Sequence, residues 1–100
     1  MRYTILKQYE IANDIMSIIC EIGDISFLEL CSRKKSVKLN TLRGLYCYCL
    51  RERGVESRIG ASLIGRTRCN IINQARKYWH YMQMNDKYIT KIYKMINEKI

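Results

Sequence analysis

Between positions 66 and 77 the sequence sets out a group of side chains suited to hydrogen bonding with nucleic acid: Arg66, Thr67, Arg68, Cys69, Asn70 and Asn73, followed by Arg76 and Lys77. An arginine can donate two bonds to the O6/N7 edge of guanine, and an asparagine matches the N6/N7 edge of adenine. Read as the start of a helix, this segment presents short polar side chains in its first two turns and cations a turn or two later. That is the arrangement needed to insert a helix end into a major groove and hold the flanking phosphates. Arg68 and Asn70 are the expected discriminating contacts, and Arg76 and Lys77 the expected phosphate contacts. The competing reading is a surface helix with an ordinary basic face. A second cationic group lies upstream in Ser32-Arg33-Lys34-Lys35-Ser36, a loop without a hydrophobe, extended by Lys38.

The distribution of charge agrees with this placement. The 100 residues carry a net +9, but residues 1–31 balance to −3, residues 32–77 to +10 and residues 78–100 to +2. A surface of mixed signs needs no partner, whereas +10 concentrated in one stretch is expected of a polyanion-binding face.

Other chemistries find little support. His80 has no Asp or Cys partner in motif spacing, and no nucleophile–base pair or carboxylate dyad stands out, so no enzymatic activity is expected. Glu52 and Glu56 are expected in surface ion pairs with Arg51, Arg53 or Arg58, each worth about 0–1 kcal/mol. The five cysteines (Cys20, Cys31, Cys47, Cys49, Cys69) are odd in number and include no C-x-x-C pair. Cys47 and Cys49 would point roughly 200° apart on a helix, which disfavours a shared metal. Reduced thiols acting as small core hydrophobes, in a cytoplasmic or nucleoid-associated protein, are the expectation. No cofactor or small-molecule substrate is expected. No apolar run approaches the ~20 residues of a membrane span, and the amino terminus lacks a signal-peptide apolar stretch.

The elements that must position these residues are helices. With no proline, five glycines and 48% apolar residues, the chain predicts an all-α single domain of about six helices over residues 1–100. The first spans about 4–20, with Ile5, Tyr9, Ala12, Ile15, Met16 and Ile19 as its apolar stripe and Gly23 as a left-handed cap. Ser26 and Glu29 have capping-box spacing for a short second helix. A third, about 39–53, buries Leu42, Leu45, Tyr46, Cys49 and Leu50 and starts from Ser36 or Asn40; of Tyr46 and Tyr48, one is expected buried and the other free to touch phosphate. A short piece, 57–63, leads through Ile64-Gly65-Arg66 to a long helix capped by Thr67. Ile71, Ile72, Ala75, Tyr78, Trp79 and Met82 form the stripe of that helix. The last, capped by Asn85 or Asp86, repeats Tyr88, Ile89, Ile92, Tyr93, Ile96 and Ile100. Residues 57–83 therefore read as a helix-turn-helix, with the basic loop at 32–38 beside it.

Ser32 to Lys77 resembles the C-terminal DNA-binding domain of the bacterial replication initiator DnaA, with Ile59 to Lys77 as the key stretch and a weaker likeness extending over about residues 10–97. That family shows Ile-Gly, five residues ending in Gly, then Arg-Asp-His-Thr-Thr-Val and a basic pair. Here the spacing from Ile59-Gly60 through Gly65 to Arg66 follows the pattern without a gap, and Arg76-Lys77 supplies a basic pair further on. Phe27 to Leu30, the basic loop and Arg43 are similar to their counterparts, and Arg43 and Arg66 are counted among the expected DNA contacts. The resemblance implies duplex DNA as partner, a groove-entering arginine that falls to Arg33, Lys34, Lys35 or Lys38, and base contacts from Thr67, Arg68, Cys69 and Asn70. None of those four is the family residue, so a different or less sharply read sequence is expected. The link from Gly54 to Ile59 is about two residues shorter than in the family, and no G-x-x-x-x-G-K-[ST] motif occurs. A small module of this kind fits a bacterial genome, a phage or a mobile element, in replication or transcription. A protein-interaction adaptor with this fold but without DNA readout, and an RNA binder, are the competing expectations.

Overall fold

The computed structural model describes residues 3–100 and contains six helices, with no strand among those residues. They are α1 (Ile5–Gly23), α2 (Phe27–Cys31), α3 (Val37–Glu52), α4 (Ser57–Ile64), α5 (Arg68–Gln83) and α6 (Lys87–Lys99). The all-α architecture is as expected from the composition.

Local chemistry sets most helix starts. Ser26 and Glu29 form a reciprocal capping box. Thr67 Oγ1 accepts from the Asn70 amide (3.1 Å), and Asp86 Oδ1 accepts from the Ile89 amide (3.1 Å). Ser36 rather than Asn40 caps α3, accepting from the Leu39 amide (3.0 Å). The third helix thus begins two residues early, and Lys38 stands in its first turn rather than in the loop.

The centre of the molecule is α3, which packs against α1 on one side and α5 on the other. Every residue from Gly44 to Leu50 is buried, so this helix is enclosed all round instead of presenting a single stripe. Tyr46 and Tyr48 are therefore both in the core. Tyr46 donates to Gly60 O (2.9 Å), and Tyr48 meets the Tyr93 ring edge-on at 5.5 Å. The expected phosphate contact from one of them is not available. Tyr93 donates to Glu52 (2.6 Å), so Glu52 serves an aromatic hydroxyl, while Glu56 pairs with Arg58 at 3.2 Å as expected.

Two glycines matter for close packing. Gly23 lies inside α1, where a Cβ would run into Leu42, and Asp24 (φ 51°) takes the left-handed cap instead. Gly44 lets the Tyr78 ring lie directly on α3. Tyr78 also donates to Asn40 O (3.3 Å), which ties α5 to the first turn of α3.

Gln8, fully buried, joins α1 to the start of α4. Its Oε1 accepts from the Glu56 amide (2.7 Å), and its Nε2 donates to Tyr3 O (3.0 Å) and to Glu56 Oε2 (3.2 Å). Several expected stripe members stay outside the core. Ile5, Trp79, Tyr88 and Ile100 are about half exposed, because each lies at a stripe edge or a chain end. Trp79 meets His80 edge-on at 5.1 Å.

Candidate nucleic-acid interface

The turn between α4 and α5 needs a left-handed residue, and Gly65 (φ 71°) supplies it. Arg66 and Thr67 then lead into α5, whose first residues Arg68, Cys69 and Asn70 are all exposed. Thr67 is exposed too, but its hydroxyl is engaged as the helix cap. Asn73, Arg76 and Lys77 are exposed further along, as are Arg33, Lys34, Lys35 and Lys38 on the other element.

At about 100° per residue, the buried line of α5 through Ile71, Ala75 and Tyr78 sorts these side chains into three directions. Cys69, Asn73, Arg76 and His80 point away from the core. Asn70, Gln74 and Lys77 occupy the flank facing the basic loop. Arg68, Ile72 and Trp79 occupy the opposite flank, by the α3–α4 corner. Of the two expected discriminating residues, neither Arg68 nor Asn70 lies on the outermost line.

The loop-facing flank closes a groove of about 370 Å³ between α5, the start of α3 and the 32–36 loop. Its floor is apolar, with Cys47, Ile64, Ile71 and Tyr78. Its walls carry Arg33, Lys35, Arg43, Arg66 and Lys77, along with the amides Asn40, Asn70 and Gln74. No Asp or Glu lines it among the described residues. The structure thus brings the two cationic segments onto one concave surface.

Two of the expected DNA contacts do something else. Arg43 donates through Nε to Leu30 O (2.8 Å), through Nη1 to Lys34 O (2.6 Å), and through Nη2 to Glu29 O (3.0 Å) and Ser32 O (2.9 Å). Arg66 donates through Nη2 to the same Ser32 O (2.7 Å) and through Nη1 to Cys31 O (3.1 Å). The two guanidinium groups therefore clamp the end of α2 and the basic loop against α3 and the α4–α5 turn. Burial, with Arg66 close by, lowers the pKa of Arg43. Both arginines still border the groove and add to its positive potential. Both guanidinium groups, however, are anchored by main-chain carbonyls, so their first role is to position the site.

Sequence reasoning missed Gln74 and Asn40. Gln74 is one helical turn from Asn70 on the same flank, and this i, i+4 relation was the available signal. Asn40 carried none, because its place depends on where α3 starts. The cysteines near the site differ in environment. Burial pushes the Cys47 and Cys49 thiols up to about 12, whereas Cys69 is exposed on α5. No group of three or more His, Cys, Asp or Glu side chains able to hold a metal occurs among the described residues. No helix there is long and apolar enough to cross a membrane. Neither a protein-family model nor a curated protein matches this chain.

Proposed function

We propose that this protein binds double-stranded DNA, with α4 and α5 as a helix-turn-helix. The first two turns of α5 enter the major groove, and the 32–36 loop with Lys38 contacts the backbone or the adjacent minor groove. The observation that carries this reading is the acid-free groove, which joins the loop and α5 into one cationic concavity. The likeness of residues 59–77 to the replication initiator's DNA-binding domain supports it, as does the +10 balance of residues 32–77.

About six to eight phosphate contacts supply the affinity, giving a log–log salt dependence of about −0.9 per neutralised phosphate. Exposed polar side chains of α5 supply the discrimination, a good bidentate contact being worth about 1–3 kcal/mol. The reading is tested by fluorescence anisotropy with random duplex, single-stranded DNA and structured RNA at two salt concentrations. Tight, salt-sensitive binding to duplex is expected. Preference for structured RNA, or no binding to any of the three at low salt, overturns it, the latter in favour of a protein-interaction adaptor.

A further inference from the structure

The groove lies between the two elements proposed to contact DNA, and this constrains what can occupy it. A duplex read in its major groove by α5 and approached from the neighbouring side by the loop must pass one backbone ridge between them. We infer that the groove seats one sugar–phosphate strand, so that Gln74 and Asn70 grip backbone while Asn73 on the outer line reads bases. This rests on the duplex-binding reading above.

Three features carry the inference. Arg33, Lys35 and Lys77 border the groove without a carboxylate among the described lining residues, which is the charge arrangement a phosphodiester requires. Arg43 and Arg66, held by main-chain carbonyls, place two fixed positive charges in its walls. Asn70 and Gln74 are neutral amides that can donate to phosphate oxygens. Asn73 is the immediate neighbour of Gln74 but points about 100° away, clear of the groove. Adjacent amides with different surroundings thereby acquire different tasks.

The groove can be tested without a duplex. In heteronuclear NMR, titrated inorganic pyrophosphate should shift the side-chain amide signals of Asn40, Asn70 and Gln74, and should leave the exposed α6 lysines Lys87, Lys91 and Lys94 unaffected. Equal response at α6, or none in the groove, overturns the assignment. With duplexes, Gln74→Glu introduces a negative charge into the groove and should weaken all sequences alike, on the order of tenfold. Asn73→Ala should instead alter the ranking of sequences in a random-library enrichment. If Gln74→Glu binds like the parent chain, or if Gln74→Ala rather than Asn73→Ala changes the ranking, the inference fails even though duplex binding stands. Loss of duplex binding by the parent chain itself, with the pyrophosphate response retained, removes DNA as the occupant and with it this inference. A matched far-UV dichroism spectrum and melting temperature for each variant separate misfolding from lost contact.

Discussion

Arg43 and Arg66 in the walls of the groove and the exposed Arg33 and Arg68 share one side chain and have different surroundings. The first two donate to backbone carbonyls at 2.6–3.1 Å, while Arg33 and Arg68 stand in solvent. The contrast teaches that a count of basic residues overstates the number of contacts available to a polyanion. Part of the charge is consumed in building the surface that presents the remainder. Substitution of Arg43 is therefore expected to act on folding first, whereas substitution of the exposed Arg33 should leave folding unchanged.

The largest expected effect that would sharpen this contrast comes from Arg43→Ala. It leaves the carbonyls of Glu29, Leu30, Ser32 and Lys34 without that donor, and should cost about 2–3 kcal/mol in urea unfolding. Arg43→Lys should recover less than half, because an ammonium cannot reproduce the guanidinium fork. Full recovery by lysine would show that only charge matters there. Gly44→Ala comes next. The added methyl meets the Tyr78 ring and should cost about 1–3 kcal/mol by overpacking. Gln8→Ala, which removes the buried amide that accepts from the Glu56 N–H at the start of α4, should cost about 1–3 kcal/mol.

The thiols offer a pH version of the same comparison. Cys47 and Cys49 have folded-state pKa values of about 12 against an ordinary 9.0. Between those values the unfolded chain has released thiol protons that the folded chain keeps. Stability is therefore undiminished below pH 9 and falls as pH rises from 9 towards 12. Melting temperatures at pH 8 and pH 10.5 should show this loss. An alkylating reagent at pH 8 should modify exposed Cys69 well before these two. The smallest effect on folding is expected at the edges: Arg68→Ala and Lys34→Ala should each change stability by no more than about 0.5 kcal/mol. In binding, Arg68→Ala should relax selectivity and Lys34→Ala should weaken every duplex alike. Identical losses on every duplex from both would remove Arg68 from base reading.

Much of this arrangement was legible in the sequence. The caps at Ser26 and Thr67 and the turn at Gly65 follow from residue types at fixed offsets, Asp86 was one of two candidates for the last cap, and six helical elements emerge from periodicity and composition alone. What was not legible depends on main-chain partners and on full enclosure. Nothing in the letters around Arg43 indicates that four carbonyls converge on it, since backbone acceptors leave no trace in composition. Tyr48 was open to misreading because a stripe model assumes one wet face, whereas α3 is sandwiched between α1 and α5. Trp79 was misread in the opposite sense: its helical spacing put it in the stripe, whereas it stands at the stripe's edge and is about half exposed. The candidate site was half visible: both cationic segments were evident, but not the groove that unites them, nor Gln74 within it.

Ser32 O accepts from Arg43 and from Arg66, and this shared acceptor has a consequence for motion. Releasing the loop breaks a bond to α3 and a bond to the α4–α5 turn in a single event. Residues 32–35 and the turn at 65–67 therefore form one cooperative opening unit, although about thirty positions separate them in the chain. In native-state hydrogen exchange their slow amides should share one opening free energy and one denaturant dependence, and Arg66→Ala should split them into two.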